Sequence, residues 1–290
     1  MAYRYESLSE DVIPEVYRTF VEAFSDYPLD VSQTSEEVFR NRALKNAVDL
    51  NSSIGVYYQD KMVGYTLVGV DYWKNAPSAF DVGTGIVKTH RGKGIAKEMF
   101  RYIIPKLRER GVKRFVLEVL QENEPAIKAY QKAGFRIVRE FDCFQLVLEK
   151  ARFGGDAKIP VGICSIDKSE ISLFEPFLDW QPSWENSFAS ISRIPDRVIL
   201  CGAKYEGTYV GLLVYYPALN WIMSIVVKQS FRRNGVGTFM LSRFLQEKDV
   251  KLTYMKLVNV DHGDSGMLAF LSRSGFELYT RQFEMEYELE

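Results

Sequence analysis

Two cations and two glycines, Arg91-Gly92-Lys93-Gly94, stand where a β-branched run ending at Ile86-Val87 gives way to helical apolar spacing from Ile95 onward. A strand, a glycine-rich turn and a helix start together form a holder for phosphate. Glycine lets the backbone come close, and the first amides of a helix have no partner within it. The aligned peptide dipoles place about half a positive charge there, worth roughly 0.3–1 kcal/mol per anion at an exposed site. The turn is not a Walker loop, because Gly94 is followed by Ile95-Ala96 rather than by Lys-Ser/Thr. It also lacks the three-glycine spacing and downstream acid of a dinucleotide fingerprint. With only His90 and His262, and with Cys143, Cys164 and Cys201 isolated from one another, a multi-histidine metal site is excluded and no Cys/His nucleophile pair stands at motif spacing.

The pattern occurs twice. Arg232-Arg-Asn-Gly235-Val-Gly237 repeats Arg91-Gly-Lys-Gly94-Ile-Ala96 at an offset of 141 positions, and Gly275-Phe276 repeats Gly134-Phe135 at the same offset. Two spaced motifs returning in one register indicate an internal duplication.

Arg91-x-x-Gly94-x-Ala96 after a strand resembles the acetyl-CoA pyrophosphate motif of the GNAT superfamily of N-acetyltransferases. Leu117-Glu-Val119, followed by Asn123-x-x-Ala126-x-x-x-Tyr130-x-x-x-Gly134-Phe135, resembles that superfamily's other signature. The resemblance extends over both halves, complete in the first and partial in the second. It implies an α+β fold of two tandem GNAT-like domains, each a twisted, mixed but mostly antiparallel sheet flanked by helices. It implies acetyl-CoA as the donor, held by Arg91, Gly92, Lys93, Gly94, Ile95 and Ala96, with Asn123 also on the cofactor side. The backbone N–H of Ile86 or Val87 would face the thioester oxygen, and the strand edge at Ile86 and Lys88 would pair with the pantetheine amides. Tyr130 matches the usual general acid; a phenol with an ordinary pKa of about 10 stays protonated at neutral pH, as a donor to a thiolate must.

Transfer to an amine also needs a base, since an ammonium of pKa near 10 costs about 4 kcal/mol to deprotonate at pH 7. The positions from which family members often supply it, nine or eleven residues before the motif arginine, are Val82 and Phe80, and neither can serve. Asp81 lies between them and faces the other way in a regular strand unless a bulge re-aims it. Glu118, Glu122 and a water chain to Asp26 or Asp71 are further candidates, and the sequence leaves the base unassigned. In the second half Leu271 stands at the position of Tyr130, and Asp264 at that of Asn123. The first half is therefore expected to be the catalyst. The second is expected to be a degenerate, structural copy, with an intact but non-catalytic cofactor site as the other reading. The expected activity is acetyl transfer from acetyl-CoA to a primary amine of a small molecule. Its rivals are a non-catalytic acyl-CoA sensor and an acetyltransferase of protein or peptide amines, and Asp26, Asp30 and Asp71 offer only a general preference for cations.

The elements that must position these residues follow from periodicity. In the first half a strand is expected near Tyr3–Leu8, helices over Glu10–Phe24 and Glu36–Val48, and a hairpin over Ile54–Val70. A loop at Lys74–Ser78 leads to a strand at Phe80–Val87 and a helix from Gly94 to Arg110 that bends at Pro105. A strand at Phe115–Leu120, a helix at Pro125–Ala133 and a last strand or pair of strands at Phe135–Leu148 complete it. The second half repeats this with helices at Ser169–Asp179, Trp184–Ile191, Gly235–Glu247 and Ser265–Ser274. Its strands are expected at Val161–Ser165, Val198–Tyr205, Tyr209–Tyr216, Trp221–Val227, Leu252–Val260 and from Phe276. The domains so read are 1–150 and 159–290, joined by a linker at 151–158.

The 290 residues suffice for two ordinary domains, and 47% hydrophobic content supports filled cores. A net charge of −1 argues against nucleic acid or an anionic membrane as the main partner. No apolar run approaches the roughly 20 residues needed to cross a bilayer. The isolated thiols and the polar start fit a cytoplasmic chain.

Overall fold

The computed structural model describes residues 2–27, 31, 34–154, 156–246 and 252–289. Asp30 and Glu247, named above, lie outside the described residues. The chain forms two compact units, one of residues 1–139 with 283–290 and one of residues 140–282.

In the first unit, β1 (Arg4–Ser7), β2 (Ile54–Tyr58), β3 (Lys61–Trp73), β4 (Ala76–Ile86) and β5 (Arg114–Leu120) lie side by side in that order. All neighbours are antiparallel except β4 and β5. The helices are α1 (Ile13–Ala23), α2 (Glu36–Lys45), α3 (Ile95–Glu109) and α4 (Glu124–Ala133). Helix α2 starts at Ser35, whose hydroxyl accepts the Val38 N–H at 3.2 Å, satisfying one of the orphan amides at a helix start. Along α3 the four-residue spacing of Ile95, Met99, Ile103 and Leu107 puts all four into one buried stripe against Phe115 and Leu117. The helix runs through Pro105 to Glu109.

The expected loop at Lys74–Ser78 is instead a two-residue turn. Lys74 and Asn75 both take left-handed backbone, with φ of 46° and 59°, and Pro77 already pairs with Tyr72. Two successive positive φ values match the twist of the flanking strands, so such a turn closes a hairpin tightly.

The second unit carries β7 (Gly162–Ser165), β8 (Ile199–Tyr205), β9 (Thr208–Tyr216), β10 (Trp221–Val227) and β11 (Tyr254–Asp261), with α5 (Phe188–Ser192), α6 (Val236–Gln246) and α7 (Ser265–Ser274). Two helices are shorter or tighter than expected. Lys168–Phe177 is a 3-10 helix with Pro176 near its end, and the expected Trp184–Ile191 helix is broken by Ser187, whose ψ is 149°. Trp184, Trp221, Tyr215 and Tyr216 are buried in this unit's cores, and all three cysteines are free, Cys143 and Cys201 buried and Cys164 half-buried.

The last two strands are exchanged relative to a linear reading. Strand β6 (Arg136–Val147) and strand β12 (Glu277–Glu288) occupy equivalent places in the repeat, 141 positions apart. Residues 141–147 of β6 nevertheless pair with β11 in the second unit, where Phe144 and Leu146 join its core. Residues 283–288 of β12 lie beside β5, and Met285 and Leu289 complete the first core. Each unit thus takes the final strand that follows the other copy's helix, an exchange that a duplicated sequence permits at little cost because the two strands are alike. The compact units consequently do not follow the cut at 150 and 159: residues 140–150 sit with the second and 283–290 with the first.

Candidate functional site

Strands β4 and β5 pair in parallel from Ser78 and Arg114 as far as Asp81 and Leu117, where the pairing ends. Past that point the inner edge of β4 has no strand beside it. Val87 N–H donates to Val63 O at 2.9 Å, on the β3 side. Alternation along the strand then turns the Ile86 N–H the other way, toward the open edge. Of the two donors expected to face a thioester oxygen, Ile86 is therefore available and Val87 is spent. Lys88 is not strand: it opens a 3-10 turn, and its carbonyl accepts the Arg91 N–H.

The turn follows at once. Gly92 and Gly94 have φ of 74° and 78°, and a Cβ on either would meet nothing within 4 Å. The constraint at these positions is backbone handedness together with open space in front of it. Gly92, Lys93 and Gly94 are exposed, and Gly94 caps α3 without a side-chain partner. The amides of Ile95 and Ala96, at the first positions of α3, have no acceptor within the helix.

Arg91 is engaged otherwise than the motif suggests. Its Nε donates to Ile86 O at 3.0 Å, its Nη2 to Ala23 O, and both terminal nitrogens to Asp26 at 3.0 and 2.8 Å. The side chain fastens the turn to the end of α1 and to the end of β4. What it contributes to an anion is its turn's shape. Asp26, paired with Arg91 and then Lys88, has its carboxyl held down at about 2, which removes it as a candidate base. The second unit repeats the arrangement with Arg232, which donates to Val227 O at 2.9 Å, Asp179 at 2.7 Å and Phe177 O at 3.1 Å.

Asn123 caps α4: its Oδ1 accepts the Ala126 N–H at 3.3 Å, and its side chain also hydrogen-bonds the Tyr27 hydroxyl. Asp264 does the same for α7, accepting the Met267 N–H at 2.9 Å. This signature residue therefore shapes the helix start that presents Tyr130. The Tyr130 ring packs edge-on against Phe100 and Phe135 at centroid distances of 5.8 and 5.9 Å. Its hydroxyl makes no hydrogen bond among the described residues. Burial first, then the negative charge of Asp81 and the neighbouring Tyr27 and Tyr65, push its pKa well above the ordinary phenol value. The group holds its proton at any physiological pH.

Asp81 is the residue that sequence reasoning left open. Leu67 pairs with Gly83 but Val68 with Asp81, so Val82 is an extra, bulged residue. In a regular strand residues three apart face opposite ways, yet Thr84 Oγ1 donates to Asp81 Oδ2 at 2.7 Å. The bulge has brought Asp81 onto the face of Thr84. Its other oxygen, Oδ1, is buried without a hydrogen-bond partner. Burial raises the carboxyl to about 6 against the help of Thr84 and the Gly83 N–H. Of the other candidates, Glu122 is exposed and Asp71 pairs across from Ser78, toward the far end of β4. Glu118 lies on β5 one residue past the last β4–β5 rung. The arrangement can hold a phosphorylated ligand at the α3 turn, present one backbone donor at Ile86, hold a proton at Tyr130 and receive one at Asp81. Among the described residues no cluster of three His, Cys, Asp or Glu could hold a metal, and no helix is long and apolar enough to cross a membrane.

Comparison with known proteins agrees with this geometry. The sequence profile of the acetyltransferase (GNAT) family matches residues 12–135 and again 167–276. The chain is 32% identical over 87 residues to streptothricin acetyltransferase of Streptomyces lavendulae, which is 30% of this chain and 45% of that one. It is 32% identical over 95 residues to spermine/spermidine N(1)-acetyltransferase of Bacillus subtilis (strain 168), 31% of this chain and 62% of that one. The matches thus span about half the length of these curated relatives. A tandem GNAT protein from the clavulanic acid biosynthesis pathway shares the fold over 100% of this chain and 99% of its own, with a TM-score of 0.76 at 14% identity. Two profile matches, on two units that each carry the strand, turn and helix of the motif, make this chain a member of the acetyltransferase (GNAT) family with the family's pattern present twice.

Proposed function

We propose that the chain is an acetyl-CoA-dependent N-acetyltransferase of small-molecule primary amines, with the first unit as its catalyst. The observation that carries this reading is the pairing of a protonated phenol, Tyr130, with a buried, half-satisfied carboxylate, Asp81, beside the point where β4 and β5 part. The residues present fit acetyl-CoA, because the α3 turn is open in front of Gly92 and Gly94 and its amides are unfilled. Bound there, the coenzyme supplies an acyl group activated as a thioester.

This chain's own residues do the rest. The amides of Gly92 to Ala96, with Lys93 near them, hold the diphosphate. The Ile86 N–H stabilises charge that develops on the thioester oxygen. Asp81 Oδ1 attracts the ammonium and takes its proton, and Tyr130 Oη gives a proton to the departing sulfur. Burial raises both groups, leaving the carboxyl at about 6 and the phenol well above its ordinary value, so that at neutral pH the first can take a proton while the second holds one. The relatives named for streptothricin and for spermine or spermidine support a small amine as acceptor.

A coenzyme-release assay across a panel of primary amines tests the proposal. Turnover on at least one amine, lost in Tyr130→Phe while coenzyme binding persists, is the expected result. Binding without turnover on any amine, indifferent to Tyr130→Phe, contradicts it and favours a sensor.

A further inference from the structure

The first unit's open edge is rich in hydrogen-bond donors on the side away from α3. Tyr65 stands across from Gly85, and its ring fills the room that Gly83 and Gly85 leave on β4. A Cβ on Gly85 would lie 2.7 Å from Tyr65 Cε1 and 3.1 Å from Phe24 Cε2, and one on Gly83 would lie 3.8 Å from the Tyr65 hydroxyl. Tyr65 is 1% exposed, and its hydroxyl makes no hydrogen bond among the described residues. A hydroxyl so buried is rarely left without a partner. Next to it, the Phe24 and Tyr27 rings meet edge-on at 5.1 Å. Asn123 spends Oδ1 on the Ala126 N–H, so its Nδ2 is the group that donates to Tyr27, and the Tyr27 O–H is left to donate onward.

A cation joins these phenols from α2. Phe39, Arg42 and Asn46 stand at i, i+3 and i+7 and share one face of that helix. Phe39 is buried with its ring 5.2 Å from that of Phe20 on α1, and the buried Asn46 sets its carbonyl oxygen where a Cβ on Gly69 would be. Gly69 pairs with Phe80, next to Asp81. Both ends of this face are fastened inward, and Arg42 is half-buried between them. Burial raises the pKa of Tyr27, Tyr65 and Asp81, and the positive charge of Arg42 acts on all three in the opposite direction. Past the end of the β4–β5 pairing, groups from the two faces of the sheet meet along the edge of β4. Asp81 reaches it from the side of α3, through the Thr84 and Thr66 hydroxyls that lead to Met99, and Tyr65 reaches it from the side of α1 and α2. The second unit lacks this wall: Leu212 pairs with Val226 as Tyr65 pairs with Gly85.

We infer that the acceptor is an amine carrying a carboxylate close to it, the amino-acid class, with the carboxylate held by Arg42 and the Tyr65 and Tyr27 hydroxyls and the amine at Asp81. A guanidinium presents a planar fork of donors that suits a carboxylate. A zwitterion matches one cation and one anion in the site, whereas a polyamine brings a further ammonium toward Arg42. The inference rests on the proposed function and leaves its chemistry unchanged. The acceptor nitrogen bonds the acetyl carbon as the C–S bond breaks, its proton passes to Asp81, and the sulfur takes one from Tyr130.

Coenzyme-release kinetics of the full chain test this, comparing the common primary-amine amino acids with the amide and the decarboxylated amine of each, and with spermidine. For at least one amino acid, kcat/KM should exceed that of its amide and its amine by about 10- to 100-fold, the span of a hydrogen bond to a charged group. Arg42→Gln should lower that amino acid to the level of its amine, chiefly through KM, and Arg42→Lys should recover part of the loss. Tyr65→Phe, which keeps the packing over Gly85, should narrow the margin as well. Wild-type turnover of amides, decarboxylated amines or spermidine as fast as of any amino acid overturns the inference and leaves the proposed function standing. A wild-type preference for the carboxylate that Arg42→Gln leaves intact overturns the part assigned to Arg42. No turnover of any compound overturns both.

Discussion

Asp81→Asn separates the two things a buried, half-satisfied carboxylate does. Burial raises its pKa from 3.8 to about 6. The folded state therefore binds the proton more tightly than the unfolded chain. Stability is unaffected by this group below the unfolded value, falls as pH rises between the two values, and stays lowered above about pH 6. A shift of about 2 pKa units corresponds to roughly 3 kcal/mol. Asparagine keeps an acceptor for Thr84 and carries no charge, so the variant should be more stable than wild type at pH 8, by up to about 3 kcal/mol, and equal to it near pH 3. At about 2–4 °C per kcal/mol for a unit of this size, the gain in Tm is on the order of 6–12 °C, read by calorimetry at the two pH values. As the proposed base, the same residue should carry about 10²- to 10⁴-fold of the rate. Wild-type kcat/KM should lose an order of magnitude per pH unit below about 6, and the variant should lack that limb. A variant that is faster or unchanged, with the acid limb intact, refutes the assignment. One that is both slow and less stable at pH 8 refutes the electrostatic reasoning.

Other consequences are checked more briefly. Tyr130→Phe should lower kcat by about 10²-fold or more with little change in coenzyme affinity, measured by single-turnover and equilibrium dialysis. Glu284, fully buried, is paired with Lys74 at 2.8 Å and Arg139 at 2.7 Å. Glu284→Gln should destabilise the first unit by about 3 kcal/mol, seen as an earlier melting transition, because it removes the negative charge that two partly buried cations share. The Asp26 carboxyl is held down at about 2, so the Arg91 clasp should stabilise the turn above pH 4 and release as pH falls toward 2. Asp26→Asn should abolish that pH dependence in hydrogen exchange of residues 88–97.

The duplicated motif and the periodicity were enough to place every strand of both units within a few residues, since apolar alternation and turn residues are local signals. The exchange of β6 and β12 was not legible. Both strands alternate similarly at the same offset, and which core each enters is decided by how Met285 and Leu289, or Phe144 and Leu146, fit distant partners. The motif's glycines were read as a turn that lets the backbone come close, and in the structure Gly92 and Gly94 take left-handed backbone with open space in front of it. Arg91 and Asn123 were assigned to the ligand because a motif reports a requirement without saying whether the side chain meets ligand or backbone; here their hydrogen bonds go to Asp26, Ala23, Ile86 and the start of α4. The bulge at Val82 leaves no mark in a single sequence, and Asp81 depended on it. The one available clue was Thr84, a short hydroxyl three residues on, able to bond a carboxylate only if the strand is kinked between them.

The account rests on the first unit's turn gripping the coenzyme. Hydrogen-exchange mass spectrometry of the full chain, with and without saturating coenzyme A, reads those amides directly. The peptide spanning residues 86–98 should gain protection at Ile86 and at Gly92 to Lys97, whose amides have no acceptor among the described residues. Coenzyme that binds while leaving that peptide's exchange unchanged contradicts the account.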